Sequence, residues 1–401
     1  NMASASRIAT NLATDVGIVA GSLTGSGALE KTGAGRLVLA GDSSGYTRPV
    51  TVSAGTLKLT GALGGNVLVS DSAAIAGEGS IAGDLTLGSS VVSDLHVDGS
   101  TPGALSTTNL TVNGTTYVRL TDLPAVAGTP IKLIDYSGTL TLQGALADAF
   151  QLENGFDYRG APTFADTGSA ITMVVPAGAN LVWRGTNASE PSLWDVNYTT
   201  NWKNGANDAD VFFNGDNVTF DDTGVTKTVL MGSLRSPGTV TFNNSAGNDY
   251  LISPNGAFGF TGATSIVKNG DGIATLQGNG HTYTGTVTIN AGVLQPDGNQ
   301  EMLGRASKVT VNDGGQLNLN GMNLGNGMRH YDVTIAGTGA NGMGAITNTF
   351  PTGSIGSNAG LLHLTLSADA SVGGNGSRFD FGRSGNSEGT ITGNGFTLTK
   401  V

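Results

Sequence analysis

The 401-residue chain contains no cysteine, which removes disulfide scaffolds, thiolate zinc sites and thiol nucleophiles together. This leaves the compartment open, because a protein that crosses a membrane unfolded gains from having no thiols to cross-link on the way. Aromatic residues make up 6% and charged residues 12% of the chain. A core in so long a chain must then be built from small and β-branched side chains, which disfavours a compact enzyme. Nineteen Lys plus Arg against thirty Asp plus Glu give a net charge of -11. No basic run could neutralise a phosphate backbone, so no nucleic acid is expected as a partner. No run approaches the roughly eighteen apolar residues of a membrane helix, so no membrane insertion is expected of this region. The N-terminus lacks a basic stretch followed by an apolar one, as expected of a mature or excised region.

What the chain has instead is 64 glycines and short alternating apolar runs cut by turns. Leu37-Val38-Leu39, Val50-Thr51-Val52, Leu57-Lys58-Leu59, Leu110-Thr111-Val112, Ile131-Lys132-Leu133-Ile134, Val309-Thr310-Val311 and Leu317-Asn318-Leu319 read as strands. Asn113-Gly114, Asp271-Gly272, Asp313-Gly314 and Asn320-Gly321 supply turn residues that tolerate positive φ. Only Ala145 to Phe150 reads as helical.

An internal repeat organises the whole. A shift of 237 positions superimposes residues 24–57 on 261–294 without a gap, with 14 of 34 positions identical, where composition alone gives roughly three. The matched positions include Lys31 and Lys268, Gly33 and Gly270, Gly35 and Gly272, Tyr46 and Tyr283, and Gly55 and Gly292. Thr392 to Lys400 reads as the start of a third copy. Composition shifts as well: residues 1–179 hold six asparagines and residues 180–401 hold 27, and Trp183, Trp194 and Trp202 cluster just after that boundary. The expected segments are a leader or cap over 1–23, a first β-helix segment over 24–179, a Trp/Asn-rich β block over 180–260, and a second β-helix segment over 261–401.

Short strands, small residues and frequent turns fit a parallel β-helix, whose coils stack at about 4.8 Å with Leu, Val or Ile inward and Thr, Ser, Asn or Asp outward. At roughly twenty residues per coil this gives about twenty coils and a rod on the order of 90 Å long. Gly33, Gly35, Gly270 and Gly272 are expected where the chain turns between coils. A positive φ at any of them would make its replacement by Val cost about 1 to 3 kcal/mol.

The run from Gly27 through Lys31, Gly33, Gly35 and Leu39 to Gly41, followed by Tyr46-Thr47 and then Val50 to Leu57, resembles the passenger-associated transport repeat of bacterial autotransporters. The second copy, from Lys268 through Gly270, Gly272 and Tyr283 to Leu294, is closer still to that pattern. Copy two departs from it at Ala274, where Leu is usual, and copy one at Arg48, where Gly is usual. The Trp block resembles segments that lie between such repeats in very long bacterial surface proteins. The resemblance implies an all-β, right-handed parallel β-helix (β-solenoid), elongated, with a Trp/Asn-rich insert near the middle. It implies type V export through the outer membrane of a Gram-negative bacterium to the cell surface, and a C-terminal translocator β-barrel elsewhere in the full-length protein.

Candidate sites are few. Asp94, His96 and Asp98 would share one face of a strand and could hold a divalent metal or form an acid/base cluster, or could be the solvated face of an ordinary coil. Asp208, Asp210, Asp216, Asp221 and Asp222 could supply oxygen ligands to calcium, or cap turns. The three tryptophans could stack on sugars, or plug a small local core. His281, His330 and His363 lack a partner at ligand spacing and read as surface or packing residues. No serine-nucleophile, Walker, zinc-helix or dinucleotide motif is present, so no catalytic residue and no cofactor is expected. The expected function is a non-catalytic rod mediating adhesion to host or matrix protein or glycan, or self-association. The alternatives are a polysaccharide-active β-helix enzyme and a purely structural surface fibre. The elongated reading is tested by solution scattering: a radius of gyration well above the roughly 21 Å of a 401-residue globule is expected, and a compact value would refute the rod.

Overall fold

Alternation of period two recurs along the described strands of this chain. In Val50–Val52, Leu85–Leu87 and Leu110–Val112 the outer two residues are buried and the central threonine is half-buried. The computed structural model describes residues 4–95, 104–120, 128–153, 157–254, 256, 258–298, 301–324, 330–350, 361–374, 379–381 and 389–401. The chain divides into two units, Asn1–Pro176 and Ala177–Val401, and each is a parallel β-solenoid.

In the first unit, one sheet runs Ser6–Ala9, Leu29–Thr32, Val50–Val52, Val67–Val69, Leu85–Leu87, Leu110–Val112 and Leu140–Leu142, and a second runs from Val16–Val19 to Phe150–Leu152. A third begins at Ala62–Leu63 and reaches Ile131–Tyr136, then ends in antiparallel pairing with Ala170–Val174 and Thr163–Asp166. Residues 1–23, expected to be a leader or cap, contribute Ser6–Ala9 and Val16–Val19, which pair with the first repeat. The helical reading of Ala145 to Phe150 corresponds to one turn, Leu146–Ala149.

The second unit has two parallel ladders. The first passes through Asn180–Trp183, Asn217–Asp221, Thr239–Asn243, Ser265–Lys268, Thr286–Ile289, Lys308–Val311 and Tyr331–Gly337 to Leu361–Gly374 and Thr390–Thr392. The second passes through Thr228–Met231, Tyr250–Pro254, Ile273–Leu276, Gly292–Pro296, Gly315–Asn318 and Ile346–Asn348, then through the C-terminal part of Leu361–Gly374, which serves both ladders, to Leu398–Lys400.

The Trp/Asn-rich segment expected over 180–260 is continuous with the coils that follow it. Strand Thr239–Asn243 pairs in register with Ser265–Lys268, so the Trp-rich block supplies the opening coils of the same ladders and shares one core with the second repeat and the coils beyond it. The break in the chain lies at Pro176, where an antiparallel hairpin ends the first set of parallel sheets. The third copy expected from Thr392 to Lys400 is also out of phase with the second. Lys400 is in register with Val372 in the second ladder, whereas Lys268 lies in the first.

Coil stacking also explains the departure at Ala274. It lies in register between Tyr250 and Leu294, whereas its counterpart Leu37 lies between Gly17 and Leu57. A bulky neighbour above is matched by a small residue below, and the reverse, which keeps column volume constant. Ala274→Leu should therefore overpack against Tyr250 and cost about 1–3 kcal/mol. Chemical denaturation measures this, and an unchanged midpoint would show that the column has room to spare.

Candidate functional site: repeat turns and outward columns

The residues shared by the two repeats converge on one turn. Strand alternation places Lys31 inward, in register with Ile8 before it and Val52 after it, in a column that continues through Val69, Leu87, Val112 and Leu142. Lys268 is inward too, between Phe242 and Ile289. Both lysines are 0% exposed. Lys31 Nζ donates to the carbonyls of Thr32 at 2.9 Å, Gly33 at 2.8 Å and Ala54 at 2.9 Å. Lys268 Nζ donates to Gly270 O and reaches Ala291 O at 3.4 Å. Loss of water pushes the Lys31 amine below its ordinary value and takes Lys268 down to about 8, with Asp271 and Asp249 opposing the shift of the latter.

Glycine is required here for two different reasons. Gly55 and Gly292 have φ of 67° and 64°, a left-handed conformation open to glycine. A Cβ on Gly55 would also strike Gly33 O and Gly35 O, and one on Gly292 would strike Gly270 O and Gly272 O. Of the four glycines expected at turns, only Gly33 has a positive φ, 78°. Gly35, Gly270 and Gly272 are needed because the preceding coil passes too close for a side chain: Leu12 O and Asp15 O at Gly35, Asn244 O at Gly270, and the Asn244 amide at Gly272. The tyrosines of the motif are buried and spend their hydroxyls on carbonyls, Tyr46 on Gly27 O at 2.5 Å and Tyr283 on Met302 O at 2.8 Å.

Outward positions form columns by the same registration. Thr219, Thr241, Val267, Thr288, Thr310, Thr334, Thr365 and Thr392 follow one another in register on the first ladder of the second unit. Beside them runs an amide ladder in which Asn290 Nδ2 donates to Asn269 Oδ1 at 2.7 Å and Asn312 Nδ2 to Asn290 Oδ1 at 2.6 Å. In the first unit Thr51, Leu68, Thr86, Thr111 and Thr141 make a similar column.

The residues singled out in the sequence fall elsewhere. Asp94 lies in strand Val91–Leu95, in register with Ala76 and Arg119, while His96 and Asp98 lie outside the described residues. Trp183, Trp194 and Trp202 are each 0% exposed. Trp202 packs edge-on to Trp183 at 4.9 Å and to Trp194 at 5.2 Å between ring centroids. No ring face is open for stacking on a sugar, because the rings build the first layers of the second unit's core. The five aspartates are spent separately. Asp216 accepts from the N–H groups of Ala179 and Phe213, Asp221 from Thr223, Asp222 from Ser245 and Asp210 from Asn204, while Asp208 lies 3.5 Å from Lys203. Among the described residues no group of three His, Asp or Glu side chains could hold a metal.

His281 is fully buried, with Nδ1 accepting from the Phe260 N–H at 3.1 Å and Nε2–H donating to Gln277 O at 2.9 Å. Burial brings its pKa down to about 4 from 6.5. The unfolded chain therefore binds a proton that the native state refuses, so the stability of the second unit should fall as pH drops from 6.5 towards 4. Melting curves across that window should slope in the native chain and flatten in His281→Gln, and equal slopes would show that the ring is not held neutral.

The Passenger-associated-transport-repeat family matches residues 29–59 and 266–295, the segments that contain both buried lysines and their glycine turns. Among curated proteins, the Adhesin BmaC autotransporter of Brucella suis biovar 1 (strain 1330) is 57% identical over 49 residues, which covers 12% of this chain and 1% of that protein. No solved structure matches. Two passenger-associated transport repeats are thus set into the solenoid, and over these segments the chain is similar to autotransporter passengers.

Proposed function

We propose that this segment is a non-catalytic adhesive surface of its passenger, binding host or matrix protein, glycan or another copy of itself through its outward polar columns. The observation that carries this reading is the in-register threonine column of the second unit, from Thr219 to Thr392, with its amide ladder alongside. Each hydroxyl offers one weak contact, and repetition on every coil of the column but that of Val267 lets such contacts add along an extended partner. The adhesive role named for the Brucella suis protein is extended to this chain on that basis. Catalysis on a solenoid face would need acids and bases converging on one point, and Asp216, Asp221 and Asp222 of the Trp-rich block are each bonded to a different partner segment.

A glycan and matrix-protein array probed with the purified chain tests the reading. Retained ligand is expected, with graded losses as Thr241, Thr288 and Thr310 are changed to Ala singly and then together. Release of sugar from the array would establish an enzyme instead. A single threonine substitution that removed all binding would replace the distributed surface with a discrete site.

A further inference from the structure

The two buried lysines have no part in a binding surface, yet their placement is unusual enough to need a physical account. Each stands in a column of aliphatic or aromatic residues where any apolar side chain of similar length would stack. Each is 0% exposed, and each directs its ammonium at main-chain carbonyls. Those carbonyls belong to two successive coils. Lys31 takes Thr32 O and Gly33 O from its own turn and Ala54 O from the turn one coil on. Lys268 takes Gly270 O from its own turn and Ala291 O from the next.

The glycines complete the arrangement. Gly55 and Gly292 follow the second carbonyl directly, and their missing Cβ lets that turn settle onto the carbonyls of the Gly-x-Gly turn beneath. Gly33 O and Ala54 O in the first repeat, and Gly270 O and Ala291 O in the second, are thus bridged by one cation, while Thr32 O accepts from the Thr10 N–H as well.

We propose that each repeat is a two-coil latch, in which one buried ammonium ties the carbonyls of two successive turns so that both coils open and close together. An apolar residue in place of the lysine would keep the packing and lose the tie. The charged groups that face Lys268 are Asp271 in its own turn and Asp249 in the turn before, and neither carboxylate replaces the carbonyls as its partner.

Hydrogen exchange of the full 401-residue chain, followed by mass spectrometry, tests the latch. In Lys31→Met the amides of Arg36–Leu39 and Thr56–Leu59 should both exchange at least about tenfold faster, while Leu110–Val112 keeps its protection. Lys31→Gln, which retains a donor, should recover part of the protection. Unchanged exchange in Lys31→Met would overturn the proposal, as would equal acceleration of every strand of the first unit, since that is the signature of lost core packing.

A second measurement needs no folded variant of the first repeat. Lys268 in the native state gives up its proton from about 8 upward, whereas an unfolded lysine holds it to about 10.4. The stability of the native chain should therefore rise with pH between about 8 and 9.5, below the range where the raised hydroxyls of Tyr250 and Tyr283 act in the opposite sense. The rise should shrink in Lys268→Met to what the lowered amines of Lys31 and Lys227 contribute, and should largely persist in Lys31→Met. An equal rise in Lys268→Met would show that the shifted amine is not the one bound to Gly270 O and Ala291 O, and would remove the latch there.

Discussion

The cores, turns and polar rows of both units depend on parallel strands stacked in register, one coil above the next at about 4.8 Å. Registration means that an inward residue is always covered by the inward residue of the following coil, so the core is a set of columns rather than a pool. A column tolerates one side chain's change only if the next compensates, which is why Ala274 lies under Tyr250 and Leu37 over Leu57 after Gly17. Aromatic bulk is correspondingly rare along the columns and gathers where they begin. Trp183, Trp194, Trp202, Phe212 and Phe220 form a contiguous buried group at the start of the second unit.

The same registration acts on the outside. A polar side chain on one coil meets its counterpart on the next at a distance suited to hydrogen bonding, so Asn269, Asn290 and Asn312 link into a row, and Gln277 links Ser253 to Asp297. These rows align successive coils, because a shift of one residue would turn the amides inward and the apolar residues out. Their ordering also leaves the surface pre-set for contact, since the rotamers are held before any partner arrives.

Alternation and glycine punctuation made the solenoid legible from the sequence, and the duplication of residues 24–57 at 261–294 pointed to the turns that matter. Less was legible about why those turns matter. Positive φ and close approach both select glycine, and a sequence does not separate Gly33, where φ is 78°, from Gly270, where the Asn244 carbonyl occupies the place of a side chain. The shift in asparagine and tryptophan content placed a boundary at 179–180, three residues from the division at Pro176, whereas the hairpin of Thr163–Asp166 and Ala170–Val174 before it is built from the same short, β-prone runs as the parallel strands. The role of Lys31 could have been found. Leu29-x-Lys31 and Ile266-x-Lys268 place a charged residue in the inward phase of a strand in both copies, a violation of patterning that calls for a buried partner.

What the two copies keep and what they exchange separates the tasks of their residues. The core positions stay apolar but are not all kept: Leu39, Val50 and Leu57 recur as Leu276, Val287 and Leu294, whereas Leu29 corresponds to Ile266, Val52 to Ile289, Leu37 to Ala274 and Leu59 to Pro296. The positions that satisfy buried polar groups do not change. Lys31 and Lys268, the Gly-x-Gly turns, Gly55 and Gly292, and Tyr46 and Tyr283 are identical, although the tyrosine hydroxyls select different carbonyls, Gly27 in one copy and Met302 in the other. An apolar column can be refilled in many ways, because dispersion and burial depend on volume and not on identity. A set of carbonyls facing one another across two coils has few solutions, because each needs a donor of the right reach and the chain must leave room for it. The repeat is thus defined by its polar turn, and the hydrophobic strands on either side are the part that can vary.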